Sequence, residues 1–211
     1  MSINNIINMA CLKGLDIIAL TDHNSCKNCP SFLEAAGRSD IIALPGMELN
    51  TMEEIHAVCL FKDLEDAMAF DELVYSGLGD IKNVPDIFGE QLLLDAYDKV
   101  TGSVEKLLIN ASNISFFDLN KLVKEYNGIY FPAHIDRSSL SLLANLGFVP
   151  PDCEMDAFEL ADPAKYDEIV AVNPTLRQFP LLKNSDAHYL WDISEAENVL
   201  PNAVQKLLVN S

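Results

Sequence analysis

Four histidines occur in the chain, His23, His56, His134 and His188, and each lies in or at the end of a run that reads as a β-strand. His23 follows Asp22 in DIIALTDHN, where the apolar residues 17 to 20 suit a strand buried on both faces. His56 lies in EIHAVCLF, His134 closes GIYFPAH, His188 follows Asp186 in LLKNSDAH, and Glu48 closes IIALPGME. In α/β sheets and barrels, functional groups gather at the carboxyl ends of strands. One such histidine alone is most simply a satisfied core or loop residue. Four together with Asp22, Glu48 and Asp186 favour a metal site, because imidazole plus carboxylate is the ligand set of Zn, Mn and Fe.

The elements that must position these residues alternate. Residues 3–13 predict a helix with Ile3, Ile6, Ile7 and Cys11 on one face, stopped by Gly14. After the His23 strand come a short helix at 30–36 with Pro in its first turn, a strand at 41–44, a strand at 54–61 and an amphipathic helix at 64–75. Residues 77–113 break the alternation and predict an insertion with a β-hairpin turning near Thr101 and Gly102, either a lid or a structural flap. Helices are expected at 115–126, 138–146, 163–170 and 199–209, with strands at 128–134, 155–160 and before Asp186. This order predicts parallel strands joined by right-handed crossovers, and functional residues on several strands favour a barrel over an open sheet.

A length of 211 residues and 49% hydrophobic content suit one globular domain over 1–211. No apolar run reaches the roughly 18 residues of a membrane helix, and no secretion signal opens the chain, so a cytoplasmic protein without a membrane partner is expected. The net charge of -18, with only three arginines, argues against nucleic acid as a partner. A phosphate substrate would then draw its positive charge from bound cations. The five cysteines are an odd number without a secretion signal, so no disulfide framework is expected. Cys11 and Cys59 read as small core residues; Cys26 and Cys29 form a lone CxxC, read as loop thiols with an accessory metal or redox role as the alternative.

ALTDHN, PGMELNT followed by EIHAV, FPAHIDR and NSDAH, in that order, resemble successive motifs of the PHP (polymerase and histidinol phosphatase) superfamily, and in detail its bacterial metal-dependent phosphoesterases. The resemblance runs from about residue 3 to about 193. It implies a distorted (β/α)7 TIM-like barrel with up to three divalent metals, Zn, Mn or Fe, at the strand ends. It makes His23, Glu48, His56, His134, Asp186 and His188 metal ligands, with Asp22 orienting the site. The implied activity is hydrolysis of a small phosphoester by a metal-activated water. Arg137, three residues past His134, is the candidate to hold a phosphate oxygen, or else a surface arginine at the start of the next helix.

The family opens with a strand carrying a His-x-His pair and a further ligand in the loop after it, and this chain shows neither. A start placed at an internal methionine, a fragment, and a degenerate member are the three readings, and the first is preferred. A barrel without its first strand is expected to expose edges that invite self-association, to hold fewer metals and to hydrolyse poorly. The alternative function is a degenerate PHP barrel acting as a non-catalytic regulatory or binding module.

Overall fold

Residues 1–209 are described by a computed structural model of the chain. Helix α1 (Ile3–Leu12) buries Ile3, Ile7 and Ala10, an i, i+4, i+7 stripe. Cys11, expected on that face, is exposed, because it follows Ala10 by about 100° of helix rotation and falls outside the stripe. Strand β1 (Ile17–Leu20), helix α2 (Cys29–Ala36), strands β2 (Ile42–Asn50) and β3 (His56–Phe61) and helix α3 (Leu64–Gly77) follow. Next come α4 (Pro85–Phe88), a hairpin of β4 (Leu92–Leu94) and β5 (Val100–Ser103), then α5 (Leu119–Glu125) and β6 (Gly128–Pro132). The chain continues through α6 (Leu142–Leu146), β7 (Phe158–Glu159), α7 (Tyr166–Val172), β8 (Leu181–Leu182) and α8 (Asn202–Val209).

The main sheet has the order β1-β2-β3-β6, and β7 and β8 form a separate parallel pair. Strand β2 changes partner along its length: Ile42 to Pro45 pair in parallel with β1, and Gly46 to Asn50 pair antiparallel with β3. Gly46 marks the crossover, since a Cβ there would lie 2.5 Å from the Cys59 carbonyl oxygen and 2.7 Å from Leu60 Cδ2.

The expected TIM-like barrel of parallel strands is corrected on two points. No closed barrel forms among the described residues, and β3 runs antiparallel to both neighbours. The physical reason lies in the connection: residues 51–55 alone join β2 to β3, whereas a parallel crossover needs about a dozen residues. What stands is a mixed α/β fold. Among the described strands β1 pairs only with β2, so its other edge is open.

The hairpin expected in the insertion is present, but its turn is Asp95–Lys99. The Asp95 carboxylate accepts the N–H groups of Tyr97 and Lys99 at 2.9 Å each, an aspartate-centred turn. Thr101 and Gly102 instead lie in β5, with Gly102 opposite Leu93.

The two faces of the main sheet bury different sets. Met47, Cys59, Phe61 and Tyr130 face a large core with Phe32, Phe70, Phe116 and Phe158. Leu44, Leu60, Ile129 and Phe131 face a smaller one with Leu182, Val204 and Leu208. Alternation along each strand therefore divides the interior, and the strand ends carry the polar residues between the two sets. No helix among the described residues is long and apolar enough to cross a membrane.

Candidate metal centre

Just beyond β1 the chain makes one further parallel bridge, His23 to Glu48. The Glu48 N–H donates to the Asp22 carbonyl at 3.1 Å, and the Asn24 N–H donates to the Glu48 carbonyl at 3.0 Å. Asn24 is fully buried in a left-handed conformation, φ +47°, which asparagine tolerates better than most residues. Its side chain accepts the Asn50 N–H at 2.8 Å and donates to the carbonyls of Leu108 and Asn110, at 2.7 Å each. One asparagine thus ties the ends of β1 and β2 to the return of the insertion. Sequence reasoning gave it no role; its place directly after the strand-ending His23 was the available signal.

Three histidines converge on Glu48. Its Oε1 lies 2.9 Å from His56 Nδ1 and 3.2 Å from His134 Nε2, and its Oε2 lies 3.3 Å from His23 Nδ1. Ring centroids are 5.2 Å apart for His23 and His56, and 5.4 Å for His56 and His134. His188 joins the edge of the group, its ring 6.0 Å from that of His23. Burial alone would raise the Glu48 carboxyl, but hydrogen bonds from His134 and His56 and the nearby imidazoles hold it well below the ordinary carboxylate range. Burial also lowers His23, outweighing the pull of Glu48, which favours the neutral imidazole that a metal requires.

The donor set suits a divalent cation. Potential ligand atoms of His23, Glu48 and His56 all lie within 4.8 Å of one another. His134 Nδ1 is buried without a hydrogen-bond partner, and His23 Nδ1, despite its short distance to Glu48, lacks hydrogen-bond alignment. His134 and Asp186 both adopt positive φ, +32° and +45°. Strained backbone at two residues bearing metal-ligand chemistry is the pattern found at functional sites.

The remaining expected residues surround this group. Asp22 directs its carboxylate to Asn28 at 3.1 Å, and burial raises it above the ordinary range. Asp186 meets Arg137 at 2.6 Å, and its Oδ1 lies 3.8 Å from His188 Nδ1. Sequence reasoning missed Glu159, which ends β7 fully enclosed and accepts from Asn184 at 3.2 Å. Burial, reinforced by Asp186 and Glu48, pushes its carboxyl up to about 7. Its place at a strand end was visible; its burial was not.

All five cysteines are free thiols. Cys26 and Cys29 are buried, and both donate to the Gly46 carbonyl, at 3.2 and 3.5 Å. Hydrogen bonding with Cys29 and burial hold the Cys26 thiol far above its usual range. A cleft of about 950 Å³ opens beside the free edge of β1, with Leu44, Phe131 and Leu182 in its apolar part and His23, Glu48 and Glu159 among its polar walls.

A family model described as PHP domain matches residues 1–149. No curated protein matches the chain. Among solved structures, the chain is similar in fold to the lesion-specific endonuclease PfuEndoQ from Pyrococcus furiosus, with a TM-score of 0.62 and 18% identity, covering 99% of this chain and 51% of that one. Endonuclease Q in complex with a 27-mer duplex substrate, an abasic lesion at its active site, gives 0.59 and 19%, covering 90% and 45%. A protein from Bifidobacterium adolescentis assigned as a metal-dependent phosphoesterase gives 0.59 and 16%, covering 98% and 90%. The chain therefore spans about half the length of the two endonuclease structures.

The expectation against nucleic acid is overturned by these neighbours, one of which holds a duplex at its active site. Net charge sums the whole surface, whereas a phosphate responds to the local field of the site and of any bound cation.

Proposed function

The chain belongs to the PHP family, and from that premise we propose that it is a metal-dependent phosphoesterase whose centre is Glu48 with His23, His56 and His134. The observation that carries this reading is the single carboxylate shared by three imidazoles within 3.3 Å. Asp186 and His188 complete the ligand set from the segment after β8. Together these residues would hold a divalent cation, which would supply Lewis acidity toward a water and a phosphoryl oxygen.

The chain's own residues do the rest. Glu48 stays ionised and the imidazoles stay oriented by it, while Asn24 fixes the spacing of His23 and Glu48. Arg137 offers a nearly half-exposed guanidinium to a phosphate oxygen. Glu159 holds a proton near neutrality inside the same wall. The substrate range takes in small phosphoesters, and the duplex held by Endonuclease Q on a similar fold extends it to the phosphodiesters of nucleic acid.

The test is release of phosphate or of cleaved strand from a panel of small phosphoesters and labelled single- and double-stranded oligonucleotides, with added Mn²⁺, with Zn²⁺, or with chelator. Metal-dependent turnover that disappears in Glu48→Gln is the expected result. A metal-loaded protein inactive on the whole panel would overturn the reading.

A further inference from the structure

Asp186 presents its carboxylate from a strained left-handed residue, and the closest cation to it is Arg137, at 2.6 Å from Oδ2. The partner is delivered by a fixed backbone. Arg137 N–H donates to the His134 carbonyl at 3.0 Å, and the Arg137 carbonyl accepts from Ser141 Oγ at 2.6 Å. Its side chain is 46% exposed, so the guanidinium has solvent to move into. The contact is an ion pair without hydrogen-bond alignment, since Asp186 Oδ2 has no hydrogen-bond partner. Charge, rather than a bidentate fork, joins the two groups.

Asp186 lies close to other acidic groups: together with Glu48 it helps push the buried Glu159 carboxyl up, so negative groups gather at this corner. His188 is a weak partner for it: its Nδ1 lies 3.8 Å from Oδ1 and 2.9 Å from the Asp186 carbonyl oxygen. A divalent ligand bond and a guanidinium on the same carboxylate oxygen would set two positive charges a few ångströms apart.

We propose that Arg137 is a stand-in cation: it neutralises Asp186 before metal binds, competes with the metal for that carboxylate, and leaves it on metal binding. This inference rests on the reading of Asp186 as a ligand under the proposed function. Arg137 is then a positioning residue that makes metal binding weaker than the ligand set alone would give. Displacement also turns the guanidinium loose beside the centre only when the metal is in place, coupling loading to the availability of a phosphate-binding group.

The test is calorimetric titration of the full chain with Mn²⁺ alone, for the wild type, Arg137→Gln, Arg137→Lys, Asp186→Asn and the Asp186→Asn/Arg137→Gln double variant. Arg137→Gln is expected to bind Mn²⁺ about two- to fivefold more tightly, the equivalent of a part-exposed ion pair worth about 0.4–1 kcal/mol. Arg137→Lys, which keeps the charge, stays near the wild type, and in the Asp186→Asn background the glutamine has no effect. Unchanged or weaker binding in Arg137→Gln overturns the inference, as does the same gain in Arg137→Lys or in the Asp186→Asn background. If neither the wild type nor any variant binds Mn²⁺, the proposed function falls with it; binding by the wild type without the gain removes this inference alone.

Discussion

Glu48 Oε1 stands 2.9 Å from His56 Nδ1, although the two residues come from strands that run in opposite directions. Near the start of β3, His56 is paired with Asn50 at the end of β2, two residues beyond Glu48. Because β3 begins where β2 ends, the antiparallel turn sets one strand's start against the other's finish. The pairing that breaks the barrel pattern is thus also what brings His56 to the carboxylate.

Asn24 should be indispensable to that arrangement. Asn24→Ala removes three side-chain hydrogen bonds, two of them buried, and leaves the buried Asn50 N–H and Leu108 carbonyl and the half-buried Asn110 carbonyl without that partner. The expected cost is about 2–6 kcal/mol, at about 1–3 kcal/mol for each of the two groups left unsatisfied in the interior. Chemical denaturation measures it; a change under about 0.5 kcal/mol would show that Asn24 does not hold the strand ends together.

Glu159 should make metal-free stability fall as pH rises. Its folded carboxyl titrates near 7, above the ordinary value of 4.5, so between those values the folded state holds a proton that the unfolded state has lost. Stability then declines from about pH 4.5 to about 7 and levels off, by about 3 kcal/mol in all for this one group. Glu159→Gln should be more stable than the wild type at pH 8 and close to it at pH 5, by thermal melts in chelator. Equal effects at the two pH values would remove the burial argument.

His23, Glu48, His56 and His134 were visible in the sequence because each ends or begins an apolar run, and strand ends are where side chains of distant segments meet. The antiparallel course of β3 was hidden because a buried strand has the same apolar pattern in either direction, and only the brevity of 51–55 betrays it. The hairpin turn was misplaced because Gly102 is the stronger single-residue turn signal, while the capping by Asp95 depends on its side chain reaching two N–H groups. Charge misled on partners, since a total of -18 says nothing about where the negative groups sit.

Gly46→Ala should damage the fold more than an ordinary glycine replacement. The new Cβ would meet a backbone oxygen at 2.5 Å, which cannot turn aside as a side chain can. An overpacking cost of about 1–3 kcal/mol is expected, together with weakened Cys26 and Cys29 hydrogen bonds to the Gly46 carbonyl. Urea melts decide; wild-type stability in Gly46→Ala would mean the strands part easily at the crossover.

Metal should stabilise the folded chain, because the converging ligands exist only when β1, β2, β3 and β6 are assembled. At a free Mn²⁺ concentration of about 100 times Kd the gain is about 2.7 kcal/mol, reversed by chelator. Differential scanning calorimetry reads it directly. A melting temperature that ignores both metal and chelator would argue against a folded-state site.

Equilibrium dialysis against Mn²⁺ or Zn²⁺ followed by elemental analysis shows whether Glu48 and its histidines bind metal. The wild type should retain at least one metal ion per chain, and Glu48→Gln, equally folded by circular dichroism, should retain none at that centre. Metal no higher in the protein compartment than in the buffer, or equal occupancy in Glu48→Gln, would contradict metal binding by this group.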